Sequence, residues 1–189
     1  EIIAEAYFLR GWAYYQLGAL WGGVPIFTEF ATAFSDTRPR STQEETFNQA
    51  IADLQFAAAN LPVKSATVNV GRASQGAAQA ALAKVHMFMG NYAAAKVAYD
   101  NIVNSGEYAL VDEYDENFQE ENENNTESIF EIGFAPIGQF NWNGAGDGLG
   151  SEGSVRHQEY AAIGWRNLIP SASLIDEHER PEKGDEKRD

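Results

Sequence analysis

Apolar residues recur at helical spacing along residues 1–111 of this chain and lose that spacing afterwards. The first stretch, about Ile2 to Leu20, is apolar on most of its circumference. Ile2, Ala6, Leu9, Ala13 and Leu17 form one stripe, with Tyr7, Phe8, Trp12, Tyr14 and Tyr15 around it. A helix apolar all round is buried on several sides, and that is expected here. Gly22-Gly23 ends it, and Pro25 drives Val24 toward an extended conformation, so Trp21 to Phe30 is expected to leave as an ordered, partly buried strap.

A second helix is signalled after the polar loop containing Pro39. Ser41-Thr42-Gln43-Glu44 reads as a capping box, in which the Ser41 hydroxyl accepts a backbone N–H at Glu44 and the Glu44 carboxylate reaches back. Phe47, Ile51, Leu54, Ala58 and Leu61 follow as the seam of an amphipathic helix that packs one face only, and Pro62 stops it.

Val63 to Arg72 reads as loop, and Ser74 as the N-cap of a third helix. Ala77 to Ile102 forms two short helices turning on Gly90-Asn91, a hairpin of tetratricopeptide type. Small residues at Ala78, Ala81 and Ala95 let the pair approach closely, while Leu82, Val85, Phe88, Tyr92, Tyr99 and Ile102 fill the space between and behind them. The fourth helix should close at Ser105-Gly106 in a left-handed conformation. The fold class is therefore mainly α, with four helices paired as two hairpins. Solenoids normally need three or more such units, and Glu1-Ile2-Ile3 opens already in helical register without an N-cap; both point to a fragment of a longer chain.

From Asp112 the sequence becomes acidic and Asn-rich. Ser128 to Phe134 suits a short strand through Ile129, Phe130, Ile132 and Phe134. A Gly-rich loop follows from Gly138 to Gly153, and Asp176 to Asp189 is almost wholly charged. The expected organisation is a helical scaffold over 1–111 and an acidic, loop-rich portion over 112–189, both parts of one fold.

Composition narrows the function. With 189 residues and 44% hydrophobic content the chain can bury one sizeable core, and no apolar run approaches the roughly 18 residues of a membrane-spanning helix. A formal charge of −15 sets nucleic-acid backbones aside as partners, because neutralising phosphates requires clustered Lys and Arg. The excess is uneven: residues 1–111 hold nine acids against seven bases, and residues 112–189 hold nineteen against six. The absence of cysteine excludes disulfides, thiolate catalysis and zinc-thiolate sites.

Little in the chain suggests catalysis, a metal or a cofactor. Asp112, Glu113, Asp115, Glu116, Glu120, Glu121 and Glu123 crowd one stretch, but it lacks the central Gly and the register of a calcium loop, so it reads as a solvated acidic loop. His86, His157 and His178 form no i, i+4 pair; His86 reads as a hydrogen-bonded scaffold residue, whereas a binding role stays open for His157. No Gly-x-Ser-x-Gly elbow occurs. The candidate ligand-binding residues are loop aromatics and the amides beside them: Phe140, Asn141, Trp142 and Asn143, then His157 and Tyr160. Exposed rings beside amides suit sugars, whose C–H faces stack while their hydroxyls take hydrogen bonds. Trp142 is open to ligand contact or packing alike; for Trp165 packing is the favoured reading.

Several segments in succession resemble the SusD/RagB family of outer-membrane nutrient-binding lipoproteins. They are Glu5 to Arg10 leading to Leu20 to Ile26; Ser41 to Pro62 with Asp53-Leu54; Gly71 to Ser74; Gly90-Asn91-Tyr92; Ser105 to Tyr108; Asn117-Phe118; and Glu127 to Ile132. The resemblance implies tetratricopeptide-like hairpins carrying an irregular ligand-binding face, anchored at the outward surface of the outer membrane by an N-terminal lipid. It implies capture without cleavage of starch-derived or other oligosaccharides, and a SusC-like TonB-dependent transporter over which the protein closes as a lid. A peptide-binding member of the same family and a tetratricopeptide adaptor are the alternatives. Arg10 and Arg72 lie in the matched segments and read as ion-pair or carbonyl-binding residues of the scaffold.

Overall fold

The computed structural model describes residues 1–133, apart from 31, 34 and 68, and residues 171–174. It divides into two compact units, Glu1–Ile132 and Gly133–Asp189. In the second, the Ser171 hydroxyl accepts the Leu174 N–H at 3.2 Å in a single turn.

Four helices build the first unit: α1 (Ile2–Trp21), α2 (Gln43–Asn60), α3 (Gln75–Phe88) and α4 (Tyr92–Val103). They pack in chain order, α1 on α2, α2 on α3 and α3 on α4, which are the two paired hairpins the sequence predicts. Phe8, Leu54 and Val85 are fully buried at the successive interfaces. Each such side chain contributes about 1.5–3 kcal/mol through apolar surface removed from water.

The helix boundaries follow the capping chemistry with one shift. The Thr42 hydroxyl, not that of Ser41, accepts the Glu45 N–H, and the Glu45 carboxylate returns to the Thr42 N–H at 2.7 Å. The box therefore lies one residue beyond the expected Ser41–Glu44. Ser41 is occupied elsewhere, its N–H donating to the Val24 carbonyl at 3.2 Å. Ser74 caps α3 as expected by accepting the Ala77 N–H at 3.2 Å. Gly90 turns the second hairpin at φ 74°, a left-handed conformation that a residue with a Cβ rarely adopts.

Burial on α1 differs from the expectation of a helix buried on several sides. The covered residues are Ala4, Phe8, Gly11, Tyr14, Tyr15 and Gly18, whereas Ile2, Ile3, Leu9, Trp12, Leu20 and Trp21 are exposed. The predicted stripe of Ile2, Ala6, Leu9 and Ala13 thus faces outward. The reason is steric: the inner face carries the glycines. A Cβ on Gly18 would lie 2.7 Å from the Phe47 ring, and one on Gly11 would lie 2.8 Å from Leu54 Cγ, so only this face lets α2 approach. Helix α2 in turn contacts both α1 and α3, along a band from Thr46 and Phe47 through Ala50 and Asp53-Leu54 to Ala57-Ala58.

In the second hairpin Ala78, Ala81 and Ala95 are buried at the contact, as are Leu82, Val85 and Ile102. Phe88, Tyr92 and Tyr99, expected to fill that space, are exposed; Phe88 instead meets the Tyr15 ring edge-on at 5.5 Å. After α4 the chain runs through short 3₁₀ turns at Tyr114–Phe118 and Glu120–Asn122. The described part of the predicted strand, 128–133, is irregular. The Ser128 carbonyl accepts from Lys64 Nζ at 2.7 Å, and Phe130 packs edge-on against Phe8 at 5.1 Å, so this segment is held by side chains and not by a strand ladder.

Candidate functional site

Two places in the first unit combine irregular backbone, a cleft and polar side chains. One is the strap after α1. Tyr14 fastens it to the helix: its hydroxyl accepts the Phe27 N–H at 2.6 Å and donates to the Phe27 carbonyl at 3.1 Å. Arg10 Nη1 donates to the Thr28 carbonyl at 3.2 Å, and the Val24 N–H donates to the Thr46 hydroxyl at 3.2 Å. Further along, Arg38 Nη1 donates to the Ile26 carbonyl at 3.1 Å while its guanidinium lies 5.2 Å from the centre of the Phe27 ring. Asp36 closes the loop by accepting from the Thr32 N–H, the Thr32 hydroxyl and the Ala33 N–H at 2.6–3.1 Å, and these bonds hold its carboxyl below the usual range. The strap is ordered, as predicted, but Phe30 is 91% exposed. A cleft of about 380 Å³ lies here, lined by Phe27, Glu29, Phe30 and Arg38 among others.

The other place surrounds Lys64, in the link between α2 and α3. Its ammonium donates to the carbonyls of Asn125 and Ser128 and lies 5.3 Å from the centre of the Tyr108 ring; burial lowers its pKa. The Glu107 carboxylate accepts from the Ser65 N–H at 2.8 Å and the Ser65 hydroxyl at 3.0 Å. Tyr108, whose pKa burial raises, shares a hydrogen bond with Ser74 and lies so close to Gly76 that a Cβ there would be 2.2 Å from the phenolic oxygen. Clefts of about 410 and 230 Å³ flank Lys64. Its bonds tie the segment 124–131 to the helices.

Both scaffold arginines pair as the sequence suggests. Arg10 meets Asp53, and Arg72 meets Glu5 through two hydrogen bonds that lower the Glu5 pKa. His86 departs from its expected hydrogen-bonded state: its buried Nδ1 has no partner among the described residues, and burial lowers its pKa. Among the described residues no group of three His, Asp or Glu side chains converges as a metal site would require. The side chains of these two clefts can bind a ligand by stacking and hydrogen bonding. No helix among the described residues is long and apolar enough to cross a membrane.

The ligand-contact candidates Phe140, Asn141, Trp142, Asn143, His157 and Tyr160 lie outside the described residues. The strap cleft was not legible in the sequence. Phe30 follows an apolar run in which packing is the natural reading of every aromatic, and only its exposure separates it from Phe27.

Paired helices stacked in chain order, with irregular segments bound to them by side chains, define a tetratricopeptide-like scaffold. Residues 1–87 match the SusD-like family model described as "Starch-binding associating with outer membrane". SusD-like protein P38 of Formosa agariphila is 35% identical over 112 residues, 58% of this chain and 22% of that protein. SusD-like protein P25 of the same organism is 30% identical over 181 residues, 94% of this chain and 33% of that protein. Among solved structures, a laminarin-binding SusD-like protein superposes with a TM-score of 0.68 at 28% identity, covering 74% of this chain and 32% of the other. The chain belongs to the SusD-like family, and it spans a third or less of the length of the curated relatives named above.

Proposed function

We propose that this protein captures oligosaccharides at the outward face of the outer membrane and delivers them, without cleaving them, to a SusC-like TonB-dependent transporter. The observation that carries this reading is the match of the helical unit to a laminarin-binding relative, because that likeness extends over most of the chain. The family model's description supports the location, with a lipid anchor tethering the intact protein beside the barrel. Capture rests on stacking of sugar C–H faces on loop aromatics and on hydrogen bonds from amides to hydroxyls. Phe140, Asn141, Trp142 and Asn143, together with His157 and Tyr160, supply those groups. Weak sites suffice, because a tether beside the transporter raises the local concentration of captured ligand.

Affinity electrophoresis of the intact protein through gels containing soluble polysaccharides, laminarin and starch among them, tests the reading. Retardation by at least one polysaccharide, reduced by Trp142→Ala, is the expected result. Retention by the variant moves the contacts away from residues 140–143, and no retardation across the panel overturns glycan capture. New reducing ends on incubation overturn the non-catalytic reading.

A further inference from the structure

A single exposed aromatic is common on protein surfaces and means little by itself. Phe30 differs because the backbone is anchored on either side of it. Side chains on α1, α2 and the loop itself hold the chain on either side of Phe30: the Tyr14 hydroxyl accepts the Phe27 N–H and donates to its carbonyl, Arg10 donates to the Thr28 carbonyl, Arg38 donates to the Ile26 carbonyl, Thr46 accepts the Val24 N–H, and Asp36 accepts from Thr32 and Ala33. A ring 91% exposed between two such anchors is presented to solvent without being packed. Preorganised presentation of this kind lowers the ordering entropy lost on binding.

The surroundings of the ring specify the ligand. Phe30 borders a cleft of about 380 Å³ that also contains Glu29, Thr32, Thr37 and Arg38. The Phe27 ring at its base is already covered by the Arg38 guanidinium, so Phe30 is the ring with a face to offer. Asp36 is engaged by its own loop, which leaves one carboxylate, Glu29, and one guanidinium, Arg38, of opposite charge. A charge-balanced rim, with the Glu29 carboxylate as acceptor, the Arg38 N–H groups not spent on the Ile26 carbonyl as donors and the Thr37 hydroxyl able to do both, matches a neutral polyhydroxyl ligand, each of whose hydroxyls also donates and accepts; the Thr32 hydroxyl already donates to Asp36. A sugar ring fits this chemistry: its C–H face on Phe30, its hydroxyls toward Glu29 and Arg38.

We propose that the strap cleft at Phe30 is itself a sugar-contact site. It rests on the glycan-capture reading above.

The test uses the intact protein, titrated calorimetrically with a polysaccharide that retards it in the gel panel. Phe30→Ala, Phe30→Leu, Glu29→Gln and Trp142→Ala are compared, with thermal melting of each. Loss of one aromatic contact should weaken binding about fivefold. Weakening of that order in Phe30→Ala and Phe30→Leu, at unchanged melting, supports the site; the leucine variant keeps apolar bulk and removes only the stacking face. Wild-type affinity in both Phe30 variants overturns the site while leaving glycan capture intact. Retardation by no polysaccharide in the wild type overturns both.

Discussion

Arg10 on α1 grips Asp53 on α2 with two prongs, Nε and Nη2 each 2.7 Å from a different carboxylate oxygen. The Asp53 side chain is 2% exposed and the Arg10 side chain 30%, so the carboxylate is the more deeply buried partner. Gln49 adds a third hydrogen bond to Asp53 at 2.9 Å, while Arg10 also reaches the Thr28 carbonyl and lies 4.9 Å from the centre of the Tyr7 ring. One guanidinium therefore joins both helices of the first hairpin to the strap that presents Phe30.

This asymmetry gives the first prediction. Arg10→Ala leaves a buried carboxylate without its cation and should cost about 3 kcal/mol in urea unfolding. Asp53→Asn leaves a partly exposed guanidinium that water can solvate, and should cost about 1–2 kcal/mol. Equal losses would show that burial of Asp53 does not set the energetics.

Arg72 and Glu5 form a more exposed pair, with the Arg72 side chain 38% exposed. Solvent screening keeps the contribution of such pairs small. Arg72→Ala should lower the melting temperature slightly and leave polysaccharide retardation unchanged. Lost retardation at unaltered melting would make Arg72 a ligand contact and not a scaffold residue.

Gly18 lies against Phe47, where an added Cβ would meet ring carbons at 2.7 and 3.0 Å. Gly18→Ala should cost about 1–3 kcal/mol by overpacking, despite alanine's better helix propensity. Thermal melting reads the sign directly: a gain in stability would mean that the α1–α2 contact yields more easily than its geometry indicates.

Stability should also fall with acid in two stages. Burial lowers the pKa of His86 from its ordinary 6.5, so the fold favours the neutral ring; that contribution is complete above the unfolded value and is lost as pH drops below it. Glu5, lowered from 4.5 chiefly by its hydrogen bond from Arg72, contributes above its unfolded value and is lost at lower pH still. Melting temperature against pH should therefore decline first below about 6.5, and His86→Leu should flatten that first decline only. An unchanged profile in the variant would assign the decline to other groups.

Much of the helical scaffold was legible because the signals are local. Ser74, Pro62, Gly90 and Gly106 act on their own turn of chain, and the structure places caps, stops and left-handed turns at those positions. The capping box moved from Ser41 to Thr42 because the Ser41 N–H is needed by Val24, a long-range bond that no local pattern reports. The predicted strand failed for a similar reason: Lys64, far away in sequence, takes the Ser128 carbonyl.

The sequence by itself determined that α1 to α4 form, where they end, and that they pair as hairpins of small-residue contacts, since propensity, capping and periodicity are written within each segment. Only the tertiary structure decided which face of α1 is inside. Apolar residues surround that helix, so hydrophobicity could not choose; the choice fell to close approach, which Gly11 and Gly18 permit and Leu9, Trp12 and Leu20 forbid. It likewise decided that Phe27 is covered and Phe30 is not, because that difference depends on where Tyr14, Arg10 and Arg38 pin the strap, and pinning requires groups brought together from separate parts of the chain.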